Sequence, residues 1–154
     1  MKRTLLALTL ATVTSTAFSA TSADLLLKGV VAPILEVSIA HETLASNLPL
    51  DRQVNSEKVG TITEKSNSPT GYKIKARSAK GGKLVNAADQ NSYVQYTLTY
   101  QGSNVPLNTS ATEVYSTANI RGTNSKDLKI SYNQPSNLSA GSYEDTVTFT
   151  IEAN

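Results

Sequence analysis

Cysteine is absent from this 154-residue chain, which excludes disulfides, thiol catalysis and cysteine-ligated metal sites. Tryptophan is absent too. With only two phenylalanines, the core must come from Val, Ile, Leu and the seven tyrosines. A secreted domain without disulfides holds itself by its core or borrows stability from a neighbour. The single histidine, His41, has no second histidine with which to build a metal site and no G-x-S-x-G elbow beside it. It reads as a surface loop residue. No catalytic residues, metal ligands or cofactor site are expected, and the chain reads as a non-enzyme.

Long apolar runs are also missing. The stretch Leu5 to Val13 falls well short of the ~20 residues that a membrane-spanning helix needs. It follows Lys2 and Arg3 and precedes a run of small residues in "MKRTLLALTLATVTSTAFSATSA", the layout of a secretory signal. Residues 1–23 are therefore assigned to the signal, with cleavage between residues 19 and 23; Ser19 fits best because Ala17 then occupies the −3 position. An excess of charge is lacking as well. Of 14 basic and 12 acidic side chains, Lys2 and Arg3 leave with the signal, so the mature chain is near neutral. That argues against nucleic acid as a partner.

What is present is a period of two. In "YVQYTLTY" Val94, Tyr96, Leu98 and Tyr100 share one face. In "GYKIKARS" Tyr72, Ile74 and Ala76 face in and Lys73, Lys75 and Arg77 face out. "DLKISY" and "YEDTVTFTIEA" alternate in the same way. Such alternation marks half-buried antiparallel strands. Shorter strands are expected at Ile34–Ile39, Val59–Thr63, Lys83–Asn86 and Val105–Leu107. Clusters such as "SNSPTG", "AKGG", "QGSN" and "NQPSNLSAG" supply the turns between them. Thr112–Asn119 is the one stretch read as a short helical turn. The whole predicts an all-β sandwich in one domain, residues 33–154.

Three features are candidates for function. Glu144 and Asp145 are adjacent acids, but strand neighbours point to opposite faces, so they cannot flank one bond as a hydrolytic pair. They read as a solvated strand start, with Asp145 bonding turn amides. Lys73, Lys75, Arg77, Lys80 and Lys83 form the densest basic cluster. If Lys83 opens the next antiparallel strand, they make a stripe for an anionic ligand such as a sulfated glycan. The plainer reading is a charged outer face that blocks edge pairing. The third feature is "DLLLKGVVAPILEVSI", Asp24 to Ile39. Leu25, Leu27, Gly29 and Val31 share one parity, Pro33 ends the segment, and "ILEVSI" begins a new strand. The first segment is either a bent edge strand of its own domain or an extension that enters another subunit as a strand.

These features resemble a fimbrial subunit of the chaperone–usher type, most closely the alternate class typified by the colonization factor antigen I major pilin. The layout is also similar to spore coat protein U-like secreted domains. The resemblance is carried by the signal, "LLLKGVVAP", "ILEVSI", "SYVQYTLTYQGSNVPLNTSATEV" and the ending "SAGSYEDTVTFTIEAN". It implies an immunoglobulin-like antiparallel β-sandwich that lacks its last strand and is completed by donor-strand exchange. Residues 24–32 would be the donor extension, with Leu25, Leu27, Gly29 and Val31 facing the groove. Val37, Ile39, Val147, Phe149 and Ile151 would line the acceptor. The implied partners are related pilin subunits, a periplasmic chaperone, an outer-membrane usher and a host glycan or receptor. The implied destination, reached through the periplasm, is the cell surface. The alternative is a self-contained secreted adhesin or glycan-binding module that uses the basic stripe.

Overall fold

A computed structural model describes residues 21–118 and 121–154. The signal assigned to residues 1–23 lies almost wholly outside them. The chain divides after Val31. Residues 21–31 form neither strand nor helix. The body from Ala32 onward holds β1 (Leu35–His41), β2 (Val54–Ser66), β3 (Tyr72–Ser78), β4 (Lys83–Asn86), β5 (Tyr93–Gln95) and β6 (Thr97–Tyr100). It continues with β7 (Ser103–Asn104), β8 (Thr112–Thr117), β9 (Gly122–Tyr132), β10 (Tyr143–Glu144) and β11 (Val147–Ala153). A 3-10 turn, Thr43–Ser46, follows β1.

All the ladders are antiparallel. One sheet has the order β1-β2-β9-β6-β7, and a second has β11-β3-β8. A small sheet, β10-β4-β5, joins them, since β5 runs on into β6 and β10 runs on into β11. The alternating side chains Tyr72, Ile74, Ala76, Val94, Leu98, Leu128, Ile130 and Phe149 meet in one core. Tyr100 of β6 lies 6.3 Å, centroid to centroid, from both Tyr115 of β8 and Phe149 of β11, so the two larger sheets pack face to face through aromatic rings.

Several expectations need correction. Val105–Leu107 is not a strand; the short strand there is β7, Ser103–Asn104, paired to β6. Thr112–Asn119 is not a helical turn: Thr112–Thr117 is strand β8, paired to β3. Its β-branched Thr112, Val114 and Thr117 suit a pleated surface, and half-burial against β3 settles the matter. Tyr93–Tyr100 is one alternating run but two strands. At Tyr96 the chain changes sheet, and the Tyr96 N–H donates to Gly82 O at 3.0 Å. β2 is also longer than its apolar signal, because register shifts near Val54–Glu57 and Lys58–Gly60 break its period.

Buried polar groups pin the layers. Glu64 is fully buried. Tyr72 donates its hydroxyl to Glu64 Oε2 at 2.7 Å, Tyr100 donates to Oε1, and Asn124 Nδ2 donates to Oε2 at 3.4 Å. Before β11, the Tyr143 hydroxyl donates to Ser139 O at 2.6 Å, the back-bond of a tyrosine corner. Gly141 sits at φ +147°, and a Cβ there would stand 2.8 Å from the Asn86 amide. That amide is itself fixed, accepting from Ala88 N–H at 2.8 Å and donating to Ser139 O at 3.1 Å.

Candidate functional site

The site is a gap between two sheet edges. Among the described residues, β1 pairs only with β2, and β11 only with β3. Each therefore has one open side. The flanking bonds show which residues face it. Asn67 N–H donates to Ile34 O at 3.2 Å, and Glu42 N–H donates to Val59 O at 3.0 Å. Even-numbered residues of β1 thus spend their backbone groups on β2. By the alternation of an antiparallel ladder, Leu35, Val37, Ile39 and His41 turn their N–H and C=O groups to the open side. On β11, Ala79 N–H donates to Thr146 O at 2.9 Å, which leaves Val147, Phe149, Ile151 and Ala153 turned outward in the same way.

The two edges lie across from each other. The 67–71 turn joins the end of β2 to the start of β3, so the first residues of β1 and the last of β11 share one end of the body. β1 and β11 consequently run in opposite directions. A strand laid between them is antiparallel to one and parallel to the other.

The gap is apolar and has a floor. A cavity of about 280 Å³ opens between Ile39 and His41 on one side and Val147 and Phe149 on the other. Val59, Leu84, Tyr96, Leu98, Leu128 and Ile130 lie beneath it, with Leu48 and Asp145 at its end. Val37 and Ile151 are half-buried farther along the same edges. The edges approach within 8 Å, Cα to Cα. Two strands flanking a third stand about 9.6 Å apart, twice the ordinary strand spacing. A strand entering here must widen the gap where the edges come closest.

Asp145 anchors the end of the gap. Its carboxylate accepts from the Ser78 hydroxyl at 2.5 Å, the Tyr96 hydroxyl at 2.6 Å and the Lys80 N–H at 2.9 Å. Burial, reinforced by the bond to Asp145, pushes the Tyr96 phenol well above the ordinary tyrosine range. The turn-amide role expected of Asp145 is thus present through Lys80. The Tyr96 bond, which ties β11's approach to the point where the chain changes sheet, carried no sequence signal. Glu144 is exposed on β10.

The other sequence candidates fall elsewhere. His41 ends β1 rather than lying in a loop; it is exposed at the rim of the gap. β3 pairs with β11 and β8, so Lys83 on β4 lies in a different sheet from Lys73, Lys75 and Arg77. Lys75 Nζ stands 2.8 Å and Lys73 Nζ 3.9 Å from Glu152 Oε2. The bond from Lys75 holds the Glu152 carboxyl below its ordinary range. Lys83 Nζ sits 4.3 Å above the Tyr93 ring, and Arg77 and Lys80 are exposed. A larger hollow of about 570 Å³ beside β5 and β6 is lined mainly by amides and hydroxyls and is bordered by neither open edge.

Ahead of the body, Leu25, Leu26, Leu27, Val30 and Val31 are 82–87% exposed. Five large apolar side chains so close together and so bare are unusual outside an interaction site. Nothing stands within 4 Å of where a Cβ on Gly29 would be.

A family model described as the CS1 type fimbrial major subunit matches residues 11–152. No curated protein matches the chain. Among solved structures it is similar to the CooA pilin subunit from enterotoxigenic Escherichia coli, at 12% identity and a TM-score of 0.45, over 77% of this chain and 89% of that one. It is also similar to the Salmonella SafD adhesin, at 11% identity and a TM-score of 0.43, over 79% and 98% of the two chains.

Proposed function

Because this chain belongs to the CS1 type fimbrial major subunit family, and so is a structural subunit of a bacterial surface pilus that associates with related subunits, we propose that the gap between β1 and β11 is its acceptor groove. Residues 24–32 of one subunit enter the groove of the next as a strand, with Leu25, Leu27, Gly29 and Val31 facing the floor. The observation that carries this reading is the pair of facing open edges over an apolar floor. Eight residues there, four on each edge, turn unspent backbone groups toward the space one strand would fill. Burying Leu25, Leu27 and Val31 contributes about 1.5–3 kcal/mol apiece, in addition to the new ladder bonds.

Until a strand arrives, two open edges and an apolar cavity are an aggregation hazard. We assign their protection to a periplasmic chaperone, release from it to an outer-membrane usher, and export to the signal in residues 1–23. A host glycan or receptor is the partner of the finished fibre. The basic cluster lends less support to a self-contained glycan-binding module, since Lys73 and Lys75 already share Glu152 and Lys83 covers Tyr93.

Deleting Asp24–Ala32 tests the reading. The expected result is a subunit still recovered with its chaperone but not incorporated into fibres. Normal polymerisation of the deleted subunit would remove residues 24–32 as the donor.

A further inference from the structure

Where the arm meets the body, one side chain grips the backbone on both sides of Pro33. Asn67 Oδ1 accepts from the Ile34 N–H at 2.7 Å, and Asn67 Nδ2 donates to Ala32 O at 2.8 Å. The Asn67 N–H also donates to Ile34 O at 3.2 Å. A single residue at the end of β2 thus carries the β1–β2 ladder past its last regular pair, Leu35 with Ser66, and on to Ala32. We propose that Asn67, acting with Pro33, keeps the arm out of its own subunit's groove and reserves it for a neighbour. This rests on the donor reading above.

The groove lies on the side of β1 opposite β2. For Val31 to enter the groove of its own subunit, the chain must reverse within Ala32, Pro33 and Ile34 and run back along β1's open edge. The clamp opposes that reversal, because it holds Ala32 C=O and Ile34 N–H on the β2 side. Turn chemistry opposes it as well. The two-residue hairpin turns need a positive φ at the first central residue, which Pro33 cannot adopt. A three-residue loop places its left-handed residue at Ile34, a β-branched side chain poorly suited to it. Asn suits position 67 because its amide offers one acceptor and one donor in a plane, matching the N–H and C=O of residues two apart on a strand. Asp lacks the donor, and Ser and Thr lack the reach.

The test uses Lys28, which lies within the arm, so that trypsin cuts an exposed arm and spares an inserted one. The full chain is denatured, refolded by dilution, separated into monomer and polymer, and digested. The unaltered chain should give monomer cut at Lys28 and polymer protected there. Asn67→Ala should raise the fraction of monomer with protected Lys28 by about tenfold, the effect of one or two net hydrogen bonds, and lower the polymer yield. Pro33→Gly, which alters no strand residue and removes no hydrogen-bond donor, should do the same and decides the matter if Asn67→Ala does not fold. Monomer cut at the unaltered rate in both variants, with unchanged polymer yield, would overturn the clamp. The Asp24–Ala32 deletion separates the two readings. If it abolishes polymer while both variants behave like the unaltered chain, the donor reading stands and the clamp falls; if it leaves polymer intact, both fall.

Discussion

Glu64 shows how single residues hold this sandwich. It is a carboxyl group buried completely, and its hydrogen-bond partners are two phenols and an amide. Tyr72 lies on β3, Tyr100 on β6 and Asn124 on β9, so one side chain of β2 cross-links both large sheets. Glu64→Leu should destabilise the subunit by about 2–5 kcal/mol in denaturant titration, because it strands two buried hydroxyls. A loss under 1 kcal/mol would mean the phenols find other partners. The same phenols set a pH limit. Burial, with the bonds to Glu64 and Asp145, raises Tyr72, Tyr100 and Tyr96 well above the ordinary value of 10.0. Above pH 10 the unfolded chain releases these protons and the folded chain does not. The stability they contribute is therefore complete below pH 10 and falls as pH rises beyond it, by up to about 1.4 kcal/mol per pH unit for each tyrosine. Denaturant midpoints measured between pH 9 and 11 should show a fall that begins near 10; a flat profile would contradict the buried phenols.

Strands were legible wherever the period of two was strict. β3, β4 and the core of β11 stand where the alternation placed them, and Val37, Ile39, Val147, Phe149 and Ile151 lie on β1 and β11 with half-buried or buried side chains. Periodicity reports which face is buried and says nothing about which neighbour supplies the hydrogen bonds. For that reason Tyr93–Tyr100 read as one strand although its two halves belong to different sheets. β8 was obscured because its Thr and Ser residues weaken the apolar alternation. The floor residues Val59 and Leu84, Leu48 at the end of the gap, and the amide of Asn67 became visible only once the chain was folded. In the arm, Gly29 is the telling position. Gly29→Leu leaves the body untouched, so secretion should persist. Fibre assembly should slow or stop, as followed by fibre yield at the surface, because on the donor reading the added side chain would face the groove floor. Normal yield would place Gly29 away from the groove.

The molecule as a whole is a sandwich with one place left between its first and last strands. The two edges stand closer than a strand's passage requires, so a strand inserted there would have to spread them and repack Ile39, Val147 and Phe149 around itself. On the proposed reading, an arm kept from its own body and a groove shaped for a strand would make each subunit depend on its neighbour. The most informative measurement is the thermal midpoint of the subunit lacking Asp24–Ala32, with and without a saturating synthetic peptide of residues 24–33. A filled groove should raise the midpoint by about 10 °C or more, and peptide release should be slow. A midpoint that does not move, from a truncated subunit already as stable as the fibre, would show that the sandwich is closed without its neighbour.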